Sequence, residues 1–130
     1  MKPKMICTTI NDNGELEIFS KADYIVLVDN GEIVHKEKNP ALKAREKRPT
    51  VAKRCLELGA DTVIAPHGSL CFPSYTILNG KIKRIYAARR GDKLNEAMVW
   101  PVNMGEIAYS SFLATWERLT HLTRKVNPEI

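Results

Sequence analysis

One run does most to limit what this chain can become: residues 48–69, RPTVAKRCLELGADTVIAPHGS. Residues 49–58 space their apolar side chains as a helix does, with Val51, Cys55 and Leu58 on one face and Ala52 and Leu56 beside them. Pro49 suits a first helical turn, and Gly59 suits the position just past a helix end. The helix feeds directly into residues 61–65 (DTVIA), a short β-branched segment apolar enough to be buried on both faces of a sheet. Pro66 stops the strand, His67-Gly68-Ser69 follows, and then come Cys71, Phe72 and Pro73. In parallel α/β sheets, ligands gather where strands end at their carboxyl side. The candidate site therefore belongs at this turn. His67 brings an imidazole with a tunable proton, and Gly68 lets a ligand approach the backbone. Free N–H groups would follow if Ser69 caps a helix.

The flanking segments extend the same architecture. Residues 5–10 read as a first strand, ended by the turn Asn11-Asp12-Asn13-Gly14, and residues 15–19 as a short second segment. Residues 22–28 (ADYIVLV) are strongly strand-like. Asp29-Asn30-Gly31 is a hairpin turn, and residues 32–38 (EIVHKEK) are its partner, with a polar end suited to a sheet edge. Asn39-Pro40 breaks the pattern, and residues 41–48 form a charged connector. After the Pro-His-Gly-Ser turn, residues 70–78 can be helical with Pro73 near the start, and residues 81–87 form a further strand. Strand, helix and strand from 61 to 87 make a βαβ unit. The whole order predicts an α/β fold, a mixed sheet with helices packed on it. Residues 91–103 read as a linker. Residues 104–124 read as an amphipathic helix whose stripe of Tyr109, Phe112, Leu113, Trp116 and Leu119 is expected to pack on the core. No internal repeat or low-complexity segment is present.

At 130 residues the chain is one domain with room for a core, and 44% hydrophobic with 27% charged residues argues against disorder. No apolar run has the length of a membrane span, and the N-terminal stretch lacks the apolar run of a signal peptide. A cytoplasmic location is expected. Cys7, Cys55 and Cys71 form no CxxC pair, and their odd number and wide spacing suggest neither a disulfide framework nor a structural zinc site. Cys7 on a strand and Cys55 on a helix face read as packing residues. The net charge of +5 is concentrated in two blocks. One holds Lys36, Lys38, Lys43, Arg45, Lys47, Arg48, Lys53 and Arg54, and the other Lys81, Lys83, Arg84, Arg89, Arg90 and Lys93. Such blocks either meet an anionic partner or form a solvated basic face.

Three stretches, FSKADYIVLVDNGEIVHKEKNP (19–40), RPTVAKRCLELGADTVIAPHGS (48–69) and the closing strand with Ile82, Ile85 and Tyr86, carry a resemblance. Over roughly residues 5–88 the chain resembles the dinitrogenase iron–molybdenum cofactor biosynthesis family, the NifX-like and NafY-like domains also found as the tail of NifB. The resemblance implies a ribonuclease-H-like mixed sheet flanked by helices. It divides the chain into a cofactor-binding α/β domain at 1–90 and an added C-terminal linker and helix at 91–130, packed on the same domain. It also implies a carrier of an iron–sulfur or iron–molybdenum cluster rather than an enzyme, with a cluster donor or acceptor protein as partner. The sequence departs from the family where a cluster would sit. The connector after Asn39-Pro40 is ALKAREKR, and the turn after the VIA strand is PHGSLCFPS.

His67 and Cys71 are four residues apart and would share one face of a helix, where imidazole and thiolate could tether a preformed cluster. The alternative is local hydrogen bonding for His67 and simple burial for Cys71. Gly68 and Ser69 are expected as backbone donors to the ligand, with Arg45 and Arg48 as electrostatic contributors. His35 and His121 have no evident partner. A second reading is a module for another anion, nucleic acid or a phosphorylated small molecule, using the same basic residues. Nucleic acid is disfavoured because no aromatics interleave with the basic runs to form a stacking platform. A third reading keeps the fold without the cluster and uses Phe112 and Trp116 of the C-terminal helix as a homodimer or partner surface. A two-metal nuclease lacks carboxylates at strand centres, since Asp29 lies in a turn and Asp61 at a strand start. Ser69 has no nucleophile elbow around it.

Overall fold

The computed structural model describes residues 5–126, with side chains in the last helix described to residue 120. His121 lies outside the described side chains. A six-stranded sheet runs in the order β3-β2-β1-β4-β5-β6. Its first half is the expected hairpin architecture. β1 (Ile6–Ile10) and β2 (Tyr24–Asp29) are antiparallel, and β2 turns through Asn30-Gly31, both at positive φ, into β3 (Glu32–Lys38) at the sheet edge. β4 (Thr62–Pro66) lies parallel to β1, and β5 (Arg84–Ala88) parallel to β4. Three antiparallel strands followed by two parallel ones give the mixed sheet that the strand and helix order predicts.

The helices explain which face is dry. α1 (Lys47–Glu57) presents Val51, Ala52 and Cys55, and α2 (Phe72–Leu78) presents Leu78, to a buried cluster with Cys7, Ile25, Leu27, Val63 and Ala65 of the sheet. Alternate residues face the other way, where Ile10, Val26, Val28 and Ala88 are covered by Leu16, Leu94 and Ala97 rather than by a helix. The expected segment at 15–19 forms no strand. Leu16 makes only an isolated bridge to Ile10, while Leu16, Ile18 and Phe19 are buried as a sealing loop. After Asn39, residues Pro40–Lys43 form one 3-10 turn. Asn39 caps it by accepting the Ala41 N–H and ties it to the body by donating to the carbonyls of Phe19 and Ala22.

Three expectations are corrected. Residues 91–103 contain a short edge strand, β6 (Val99–Pro101), antiparallel to β5, so the segment is not only a linker. Its three residues are all exposed, which removes the hydrophobic alternation that would have marked it. Cys7 and Cys55 pack in the core as expected but are also joined as a disulfide between β1 and α1, their Cα atoms 5.7 Å apart. Cys55 on the core face of α1 meets Cys7 near the start of β1, a proximity that a sequence separation of 48 conceals. The third concerns α3 (Met104–Val126). Phe112, Trp116 and Leu119 are exposed, and Glu106, Ile107 and Ser110 are the buried residues among its described side chains. The helix therefore buries Glu106 and Ser110 beside Ile107 and leaves Phe112, Trp116 and Leu119 facing away from the body.

Candidate functional site

The strand ends of β4 and β5 build the site, as the parallel arrangement requires. The His67 N–H continues the ladder by donating to the Ala88 carbonyl at 2.7 Å, so the imidazole leaves the sheet beside Arg89 and Arg90. Gly68 follows at φ +91, and the Ser69 N–H closes the turn on the Pro66 carbonyl. Glycine is needed at 68 for space as well as backbone angle. A Cβ there would stand 2.9 Å from Leu113 Cδ2 and 3.1 Å from Ile18 Cδ1.

α3 closes over this turn and supplies what the turn lacks. Asn103 caps the helix by accepting the Glu106 N–H. The Glu106 carboxylate is buried and receives three donors: His67 Nδ1 at 2.7 Å on one oxygen, with the Gly68 N–H at 3.1 Å and the Ser110 hydroxyl at 3.2 Å on the other. It also sits in the first turn of α3, where the helix dipole favours negative charge. A carboxylate held this way accepts, so Nδ1 carries the proton and Nε2 is left as the ring nitrogen without a partner among the described residues. Tyr109 stacks on the imidazole, with ring centroids 4.3 Å apart and planes 8° from parallel. His67 is nevertheless 44% exposed. It opens on a cleft of about 340 Å³ lined by His67, Arg89, Arg90 and Trp100. Arg90 pairs with Glu17 at 2.8 Å. Burial pushes the Glu17 carboxyl up, but the Arg90 contact and the Ile18 N–H outweigh it and hold it below the usual carboxylate range.

The other expected site residues do not converge on this cleft. Cys71 is buried at the start of α2, with Sγ 2.9 Å from Ser74 Oγ. It is not on one helical face with His67, because His67 stands in the turn before the helix. The N–H groups of Gly68 and Ser69 are both used internally, and the Ser69 hydroxyl accepts the Phe19 N–H, so neither residue has a backbone donor to spare. Arg48 is buried rather than offered to a ligand. Its Nε donates to the Gly68 carbonyl at 2.9 Å and its two terminal nitrogens grip Glu117 at 3.0 and 3.1 Å. Arg45 is exposed on the bend before α1 and does not line the cleft. Outside the site, His35 does have a partner, Glu37 at 2.7 Å. Among the described residues, no three His, Cys, Asp or Glu side chains are grouped to hold a metal ion.

The sequence reading missed Glu106, Tyr109 and Trp100 as site residues and placed Arg89 and Arg90 only within a basic run. One signal was readable: Asn103-Met104-Gly105-Glu106 has the Asn-x-x-Glu spacing of a helix start with an acidic third residue. No sequence signal ties that glutamate to a histidine 39 residues earlier.

No protein-family model matches the chain, and no curated protein sequence matches it. Among solved structures, the chain is similar to a crystal structure at 1.70 Å from Methanocaldococcus jannaschii, of a protein that carries the provisional description of a dinitrogenase. The likeness covers 71% of this chain and 82% of that one, at 15% identity and a TM-score of 0.49. No helix among the described residues is long and apolar enough to cross a membrane.

Proposed function

We propose that this protein binds and hands on a compact anionic metallocluster of the iron–sulfur or iron–molybdenum type at the cleft formed by His67, Arg89, Arg90 and Trp100. One observation carries the reading: His67 has Nδ1 committed to a buried carboxylate and its other ring nitrogen without a partner among the described residues, beside Arg89 and the Glu17-paired Arg90. Histidines that ligate metals usually donate their second nitrogen to such a carboxylate, which fixes the tautomer and raises the basicity of the ligating atom. A single imidazole cannot build a metal site, but it can tether a cluster assembled elsewhere, and the arginines complement its negative charge. One weak point of attachment suits a carrier, which must release its cargo to an acceptor protein. No turnover is required of the protein. Cys71 has no part in this reading, because a buried thiol bonded to Ser74 would need to leave the core to reach a ligand.

The test is uptake of iron and acid-labile sulfide by oxygen-free protein incubated with ferrous iron, sulfide and molybdate. Wild type and Cys71→Ser are expected to bind cluster, and His67→Ala and Arg89→Ala to lose most of it. Wild type that takes up neither metal nor sulfide, or His67→Ala that takes up as much as wild type, would overturn the proposal. The second reading, a phosphorylated small molecule, rests on Trp100, whose indole stands beside the arginines as a surface for a planar group. Calorimetric titration with a nucleoside monophosphate separates it from the first.

A further inference from the structure

Helix α3 is amphipathic in the opposite sense from a helix that seals a core. Each residue advances about 100° around the axis. Glu106, Ser110, Leu113 and Glu117 then fall in one sector of about 60° and are turned to the body: Glu106 to His67 and Gly68, Leu113 to Gly68, Glu117 to Arg48, and Ser110 buried against Glu106. Tyr109, Phe112 and Trp116 fall in another sector of about 60°, and they are 43%, 67% and 57% exposed. The underside completes a buried hydrogen-bond network, with Leu113 packed over Gly68; Tyr109 is covered on one face by the His67 imidazole, and Phe112 and Trp116 are left outside.

We infer that this aromatic stripe is the contact by which two copies of the chain pair, α3 against α3 in antiparallel fashion about a two-fold axis. An aromatic side chain carries about 150–250 Å² of surface, so the exposed fractions leave roughly 330 Å² on the three rings of each copy. Standard interfaces bury about 800 Å² per partner around an apolar centre. The stripe supplies about two fifths of that area as an apolar centre, the remainder falling to a more polar rim. A two-fold axis between Phe112 and Trp116 sets the phenyl of one copy on the indole of the other twice over, since the residues are one turn apart, about 6 Å along the helix. The charge pattern selects this occupant. The stripe's sector carries no ionisable group but the tyrosine, and Arg118 lies about 200° around the axis from Trp116. A membrane-surface helix would flank its aromatics with lysine or arginine, and a charged protein partner would meet complementary charge. A second copy needs neither.

Sedimentation equilibrium of the full chain tests the inference. A monomer–dimer equilibrium in the micromolar range is expected for wild type. Phe112→Ser with Trp116→Ser should raise the dissociation constant by about 100-fold or more, as loss of two central aromatics does elsewhere. Phe72→Ser should leave association unchanged. Phe72 is also exposed, but its N–H donates to Ser111 on the other flank of α3. A readout without substitution in the stripe uses Trp100→Phe, in which Trp116 is the only indole. Its fluorescence should become harder to quench with acrylamide as protein concentration rises. Wild type that stays monomeric into the millimolar range overturns the inference, as does a double variant that still dimerises. Monomer that pellets with phosphatidylcholine vesicles through the same residues would also overturn it.

Discussion

Arg48→Ala tests how the added helix is held to the sheet. The Arg48 guanidinium is buried and makes three bonds, one to the Gly68 carbonyl and two to the Glu117 carboxylate. Removing one partner of a buried charge pair costs about 3–5 kcal/mol, because the other charge is left without its counterpart. Glu117 is 26% exposed, so water recovers part of that loss. The expected destabilisation is therefore about 2–4 kcal/mol. With a urea slope near 2 kcal/mol/M, a loss of about 3 kcal/mol moves the unfolding midpoint down by about 1.5 M. A double-mutant cycle with Glu117→Ala isolates the pair, with an expected coupling of about 1–3 kcal/mol at neutral pH. Burial pushes the Glu117 carboxyl up, but the grip of Arg48, with Lys21 and Ser20 adding to it, holds it below its ordinary value of 4.5. A carboxyl depressed on folding stabilises the folded state above its unfolded pKa and stops doing so as pH falls through the folded value. The coupling should therefore persist down to about pH 4.5 and fade below it. A coupling under about 0.5 kcal/mol at neutral pH, or one that grows on acidification, would refute the claim that this pair clamps α3.

Other perturbations test the site and the edge of the sheet. Gly68→Ala combines a left-handed backbone cost of about 1–2 kcal/mol with a Cβ driven into Leu113 and Ile18. A total loss of roughly 2–4 kcal/mol in urea denaturation is expected, and a neutral substitution would show that the turn is not closely covered. Glu106→Gln keeps an acceptor for the Gly68 N–H but offers an amide to His67, so Nδ1 must accept and the proton must move to Nε2. Nitrogen NMR of His67 should report that tautomer change, and cluster uptake should fall with it. At the edge, the paired bonds from Arg54, with His35 adding to them, hold the Glu37 carboxyl down at about 2 against the opposing effect of burial. The gap in stability between wild type and Glu37→Gln should be full above about pH 4.5 and close as pH falls toward 2. A gap independent of pH would mean that the ion pair contributes nothing.

Much of the sheet was legible because its signals are local. Asp29-Asn30-Gly31 defines a hairpin without reference to the rest of the chain, and the run from Pro49 through Gly59 to Ile64 specifies helix, stop and buried strand in order. β6 left no such trace, since three exposed residues at an edge need no apolar alternation. The Cys7–Cys55 link was hidden for a different reason: a disulfide depends on which helix lies over which strand, which spacing does not record. The apolar stripe expected to pack on the core is split: Leu113 and one face of Tyr109 pack on the turn at 67–68, while Phe112, Trp116 and Leu119 are exposed. Periodicity gives the angle between residues on a helix but not the helix's rotation about its own axis. That rotation was set here by Glu106 and Glu117, whose buried partners His67, Gly68 and Arg48 come from elsewhere in the chain.

The same dependence explains why the candidate site is not at the pair of residues the sequence nominated. Position 67 was found because a strand end is a local feature, but its chemistry is decided by the C-terminal helix. Without α3, His67 would have either tautomer available, Gly68 would need no close-packed glycine for space, and Arg48 would be a cation free to meet an anion. With α3 in place, the carboxylate fixes the tautomer, Leu113 and Tyr109 occupy the space over Gly68, and Arg48 becomes a clamp. α3 touches the PHGS turn, Arg48 at the start of α1, Ser20 and the start of α2. It takes up one backbone donor, the Gly68 N–H, and the Arg48 guanidinium, while Arg89, the Glu17-paired Arg90 and one oriented imidazole line the cleft. Deleting α3 should then change what the cleft binds as well as how strongly the chain folds. In the Arg48→Ala variant, where the helix is loosened but present, ligand affinity and urea midpoint should fall together if the turn and the helix act as one unit.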